Sequence, residues 1–110
     1  MPGADETIFV YTTFSEPQQA KEVGGALVQE RLAACVNIFP GMISIYRWEG
    51  ALEEGAETAM LVKTRRSLEA DVIARLKALH PFDEPAILVV PIDGGSASYL
   101  GWIRAETERS

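Results

Sequence analysis

The chain has 110 residues, 10 basic and 16 acidic side chains, a formal net charge of −6 and a hydrophobic fraction of 47%. That length suits one domain over residues 1–110, with enough apolar material for a core that needs no disulfide or structural metal. The negative charge disfavours nucleic acid and anionic membrane as partners, because both select a basic footprint. A single cysteine makes no intramolecular disulfide. The acidic residues 1–7 do not read as a signal peptide, and no apolar run is long enough to span a bilayer. A cytoplasmic protein is expected.

Residues 7–14, TIFVYTTF, are β-branched and aromatic and predict a strand. Ser15, with Gln18 three positions on, predicts a capped helix whose buried face carries Ala20, Val23, Gly24, Leu27 and Val28. Gly24 and Gly25 each cost a helix about 1 kcal/mol relative to alanine. Close approach of the helix to a sheet is the expected reason for Gly24. Residues 35–48 predict one long strand bent at Pro40-Gly41; a tight hairpin at that point is the alternative. The bend is preferred because Glu49-Gly50 offers a better placed turn into the next strand, residues 56–64.

Ser67 is expected to cap a second helix that has Glu69 and Asp71 in its first turn and a stripe of Leu68, Val72, Leu76 and Leu79. Pro81 should end it. Residues 86–92 predict a short buried strand, and residues 98–106 a final helix. The order β-α-β-β-α-β plus a short C-terminal helix predicts an α+β, ferredoxin-like fold: an antiparallel sheet with helices on one face. The outer end of the central hairpin, with Met42, Tyr46 and Trp48, would be a bare edge in a monomer, so a homo-oligomer using those residues is expected.

Several functions common on this fold are excluded by missing residues. One cysteine cannot hold an iron-sulfur cluster, and there is no Cys-x-x-Cys loop for a soft metal. The strand ETAMLVKT lacks the aromatics an RNA-binding sheet needs. No phosphate-binding glycine motif or nucleophile elbow is present.

The run Glu30-Arg31-Leu32-Ala33-Ala34-Cys35-Val36-Asn37, then Pro40-Gly41 and residues 44–50 (SIYRWEG), strongly resembles the CutA divalent-cation tolerance family. The likeness continues through Leu61-Val62-Lys63-Thr64, His80-Pro81, Pro85 and Tyr99-Leu100-x-Trp102, and covers residues 7–107. The resemblance implies a ferredoxin-like homotrimer similar to the PII signalling proteins, locked by long hairpins and active in tolerance of copper and other divalent ions. It also places Cys35 and His80 at positions associated with metal. Two ligands fall short of the four a closed zinc site takes, so Met42, Met60, a carboxylate or a neighbouring subunit would have to complete the set. Cu(I) accepts thiolate at lower coordination and suits the pair best. In the bland alternative Cys35 is a small buried apolar residue and His80 a helix-terminal one.

A second candidate is a ligand pocket of Lys63, Phe82, Asp83 and Glu84 with Tyr46, Arg47 and Trp48 from a neighbour, suited to a small anionic metabolite. Here the chain departs from the family pattern His-Pro-Tyr-Glu-x-Pro-Glu, having Phe82, Asp83 and Ala86. The acidic run Glu53, Glu54 and Glu57 reads as a charge-protected strand edge rather than a site for hard cations. An enzyme built on Lys63, His80 and Asp83 is disfavoured, since no nucleophile–base–orienter set is visible. The expectation is a non-enzymatic homotrimer of the metal-ion response with no required cofactor and at most weak copper or other divalent-metal binding; the alternative is a PII-like module for a small metabolite.

Overall fold

The computed structural model describes residues 6–108. Strand β1 (Thr7–Phe14), helix α1 (Pro17–Gln29), β2 (Cys35–Trp48), β3 (Ala51–Arg65), α2 (Glu69–Leu79), β4 (Ile87–Pro91) and α3 (Ala97–Glu106) follow in order. The strands form one sheet in the order β2-β3-β1-β4, antiparallel throughout.

The core lies between one face of the sheet and α1 and α2. Alternation along β1 and β3 turns Ile8, Val10, Phe14, Met60 and Val62 inward, where they meet Leu27, Val72 and Leu76. Gly24 allows the close contact: a Cβ there would lie 2.7 Å from Val36 Cγ2 and 3.0 Å from Met60 Sδ. At Gly25 a Cβ would meet nothing within 4 Å. Val28, expected on the buried face, is 39% exposed.

Five sequence expectations shift. Helix α1 is capped by Glu16, with Pro17 opening it, and Gln19 rather than Gln18 accepts the backbone N–H groups of Ser15 and Glu16 at 3.1 Å. Ser67 does not cap α2; it sits inside a 3-10 turn, Arg66–Leu68, that precedes the helix, while Arg66 pairs with Glu6 and Glu69. Strand β3 starts five residues earlier than its hydrophobic pattern suggested, at Ala51, because Glu53 and Glu54 are already paired with Tyr46 and Ile45. Strand β4 is not buried: it is a sheet edge with Leu88 60% and Val90 42% exposed. Helix α3 starts at Ala97, one residue early, behind Ser96, whose hydroxyl accepts from the Tyr99 N–H.

Pro81 ends α2 as expected, and His80 secures that end. The ring is buried, stacked on Phe14 at 4.4 Å and 9°. Nδ1 accepts the Phe82 N–H at 3.1 Å, which leaves the proton on Nε2, and Nε2–H donates to the Thr13 carbonyl at 2.8 Å. Burial holds His80 below the usual histidine range, although the Thr13 carbonyl works the other way.

Two outcomes follow. Gly24→Ala should destabilise the fold, because overpacking against a stiff valine costs about 1–3 kcal/mol and exceeds the helix-propensity gain of about 1 kcal/mol. Gly25→Ala, facing open space, should stabilise by about 1 kcal/mol; urea melts of both variants check the opposite signs. Since the folded His80 pKa lies below its unfolded value, its stabilisation is intact above pH about 6.5 and is lost as pH falls through the folded pKa. Thermal melts from pH 7.5 to 5.5 should therefore slope downward more steeply in the parent protein than in His80→Gln. Equal slopes would contradict this assignment.

Candidate functional site

The sheet face away from α1 and α2 carries the chemistry. Alternation places Phe9 and Tyr11 of β1, Leu61 and Lys63 of β3, and Cys35 and Asn37 of β2 on this open face. Helix α3 crosses one end of it, anchored by Arg65 donating to the Thr107 carbonyl at 2.8 Å and Arg31 donating to the Glu106 carbonyl at 3.2 Å. The final helix therefore packs opposite the other two.

Tyr99 organises the residues beneath α3. Its hydroxyl accepts from Lys63 Nζ at 3.1 Å and lies 3.9 Å from Cys35 Sγ. The ammonium is 5.7 Å from the Phe9 ring centroid and 5.2 Å from that of Tyr99, within cation–π range of both. Tyr99 in turn stacks on Trp102 at 5.5 Å. A thiol, an amine and a phenol thus meet at the pairing of Cys35 with Lys63. The sequence singled out Cys35 and Lys63 separately; the Tyr99-Leu100-x-Trp102 element was the signal that could have joined them.

His80 is elsewhere. It lies on the helix side of the sheet beside Thr13 and Phe14, whereas Cys35 lies on the open side in the row of Lys63 and Phe9. Four strand positions separate those rows, ~13 Å along the strand. Within one chain the two candidates share no coordination sphere, and both His80 nitrogens are engaged. Among the described residues no group of three or more His, Cys, Asp and Glu side chains could hold a metal ion. Among the described residues, one chain therefore brings no such set of three ligands together.

The residues of the expected ligand pocket occupy three places. Lys63 is on the open face, Phe82 packs against the His80 ring at 4.8 Å, and Asp83 and Glu84 are exposed in the loop after α2. Tyr46, Arg47 and Trp48 stand at the far end of the hairpin, exposed. One chain does not bring them together. Met42, expected at an interface, is half-buried and accepts the Tyr11 hydroxyl at 3.5 Å.

Beyond Glu57 the hairpin leaves the sheet: β1 pairs with β3 only from Arg65 to Thr58, so residues 42–57 form a two-stranded ribbon. Ile43, Ile45 and Leu52 extend its helix-side face, and Met42, Tyr46 and Trp48 extend its open face. The glutamates alternate with these, Glu54 on the helix side and Glu53 and Glu57 on the other.

No helix among the described residues is long and apolar enough to cross a membrane. The family model described as CutA1 divalent ion tolerance protein matches residues 8–106. The chain is 46% identical over 102 residues to the Divalent-cation tolerance protein CutA of Thermus thermophilus, covering 93% of this chain and 98% of that protein. It is 40% identical over 104 residues to the rice protein CutA 1, chloroplastic, covering 94% of this chain but 59% of the rice protein. The chain thus spans little more than half the length of that relative, whose name also places it in a compartment other than the expected cytoplasm. The crystal structure of CutA1 from Oryza sativa superposes with a TM-score of 0.89 at 40% identity, over 96% of both chains. The fold, the Cys35 segment and the hairpin are thus accounted for together: the chain belongs to the CutA1 divalent ion tolerance family.

Proposed function

We propose that this protein serves the tolerance of divalent metal ions as a homotrimer without catalytic activity of its own, touching the ion weakly through Cys35. The single observation that carries the assembly is the ribbon. Ile43 is 66%, Ile45 65%, Leu52 73% and Trp48 62% exposed, and they occupy both of its faces. Two strands alone are marginal in water. One two-fold contact buries a single self-complementary patch and leaves the other face wet. Insertion between neighbours in a closed ring covers both, and the smallest such ring has three members. The CutA resemblance supports the same number.

For the ion, a lone thiol at low coordination suits Cu(I), with further ligands from the neighbouring copy. His80 belongs to the fold rather than to the ion. The absence of catalysis is supported by the partners of the reactive groups: the hydrogen-bond partner of both the Cys35 thiol and the Lys63 amine is the Tyr99 phenol, not a carboxylate or imidazole base. A second reading, a PII-like module that binds a small anionic metabolite at the cleft between copies, is favoured by Lys63, a cation on an otherwise largely apolar face.

The protein should sediment at three times its 12.0 kDa chain mass, and Ile45→Glu with Trp48→Glu should reduce it to one. A parent protein that sediments as a monomer ends the assembly reading. Anaerobic titration with Cu(I) should show affinity falling at least tenfold in Cys35→Ser and unchanged in folded His80→Gln. Unchanged affinity in Cys35→Ser ends the ion reading. A metabolite-induced rise in melting temperature that disappears in Lys63→Ala would favour the second reading instead.

A further inference from the structure

The ribbon is joined to the sheet by a register change. At the base, Cys35 pairs with Lys63 and Phe39 with Ala59; above it, Met42 pairs with Glu57 and Trp48 with Ala51. Pro40 and Gly41 together therefore stand opposite Thr58 alone, a β-bulge of one extra residue. Gly41 has φ +77, a left-handed conformation that glycine adopts freely, and Pro40 has no N–H for a regular ladder. The ribbon closes through Glu49 and Gly50, both at positive φ, as a two-residue hairpin turn requires.

These two ends are incompatible without the bulge. The base register is dictated by the core, which needs Val36 beside Val62 and Ile38 beside Met60 on the helix side. Continued upward with no extra residue, that register would pair Tyr46 with Leu52 and Ile45 with Glu53, and would close in a three-residue loop. A slip of one residue turns every side chain of a strand to the opposite face. Met42 and Tyr46 would move to the helix side, and Ile43, Ile45 and Arg47 to the open face.

We propose that the Pro40-Gly41 bulge is a phase-setting device that selects the face on which the hairpin presents Met42, Tyr46 and Trp48 to a second copy of this chain. Its role is one of register rather than of bending. With the bulge, these side chains lie on the same side as Phe9, Tyr11 and Leu61 of the open sheet face, with Glu57 and Glu53 paired beside Met42 and Tyr46. Without it, Ile43, Ile45 and Arg47 would occupy that side in place of Met42, Tyr46 and Trp48. The assembly consequence rests on the homotrimer reading; the register claim does not.

The test separates phase from bend in a Cys35→Ser background, with cysteine pairs as reporters. Opposed residues in an antiparallel pair hold their Cβ atoms about 4.5–5.5 Å apart, so crosslinking reports register. The parent should crosslink Ser44→Cys to Gly55→Cys at least tenfold more than Ser44→Cys to Glu54→Cys. Pro40→Thr with Gly41→Val keeps the chain length but permits a regular ladder; it should reverse that preference and sediment as a single chain. Deletion of Gly41 removes the extra residue yet keeps the two-residue turn and the faces, so it should retain both the 44–55 crosslink and the assembly. Retention of the 44–55 preference by the double variant overturns the proposal, and so does a folded deletion variant that loses assembly, which would assign the bulge to bending. If the double variant does not fold, the deletion variant decides alone. A parent that is monomeric removes the homotrimer reading while the crosslink ratio still decides the register claim.

Discussion

The constraint on which this structure depends is a mismatch of strand lengths. β3 has 15 residues and β2 has 14, but β1 has 8 and β4 has 5. Backbone hydrogen bonding in the overhang is satisfied by the hairpin itself, so nothing in the ladder prevents its formation. Side-chain burial is not satisfied. The molecule extends 46 Å in one direction and 21 Å in another, with a radius of gyration of 14.8 Å against about 13 Å for a compact chain of this length. Burying four large apolar side chains is worth about 1.5–3 kcal/mol each. That sum is comparable to the association cost, about 4–15 kcal/mol. Contacts on both ribbon faces tip the balance more surely than contacts on one.

The sheet also separates two chemistries that the sequence sets side by side. On its helix side His80 is neutral, stacked and doubly hydrogen-bonded, and it ends α2 by holding the chain against Thr13 and Phe14. A metal ligand needs a free lone pair, and the Nδ1 pair is occupied by the Phe82 amide. On the open side Cys35 keeps its thiol near a phenol and an amine. Phe82 packs its ring tilted against His80, a contact made by the ring with no hydroxyl involved.

Much of the architecture was legible because its causes are local. The TIFVYTTF strand, the proline stop after His80, the glycine turn at Glu49-Gly50 and the close approach at Gly24 each follow from the preferences of a few adjacent residues. The misses share a different cause. The capping position slipped by one because Glu16 and Pro17 start a helix as well as Ser15 does. The first part of β3 was invisible because Glu53-Glu54-Gly55-Ala56 shows no apolar alternation, a pattern that reads as loop until a partner strand supplies the pairing. β4 looked buried because a run of apolar residues does not reveal whether a further element covers its second face.

The sequence by itself determined the element order and the ferredoxin-like class, which follow from periodicity and turn chemistry along the chain, and its motifs carried the resemblance to the family. Only the tertiary structure decided which candidates meet. Cys35 and Lys63 converge on Tyr99 from two adjacent strands and a helix, while Cys35 and His80 are held on opposite sides of the sheet. That outcome depends on the strand order and on the register at the base of β2, where a one-residue change would exchange faces without altering the pattern from which the strands are read.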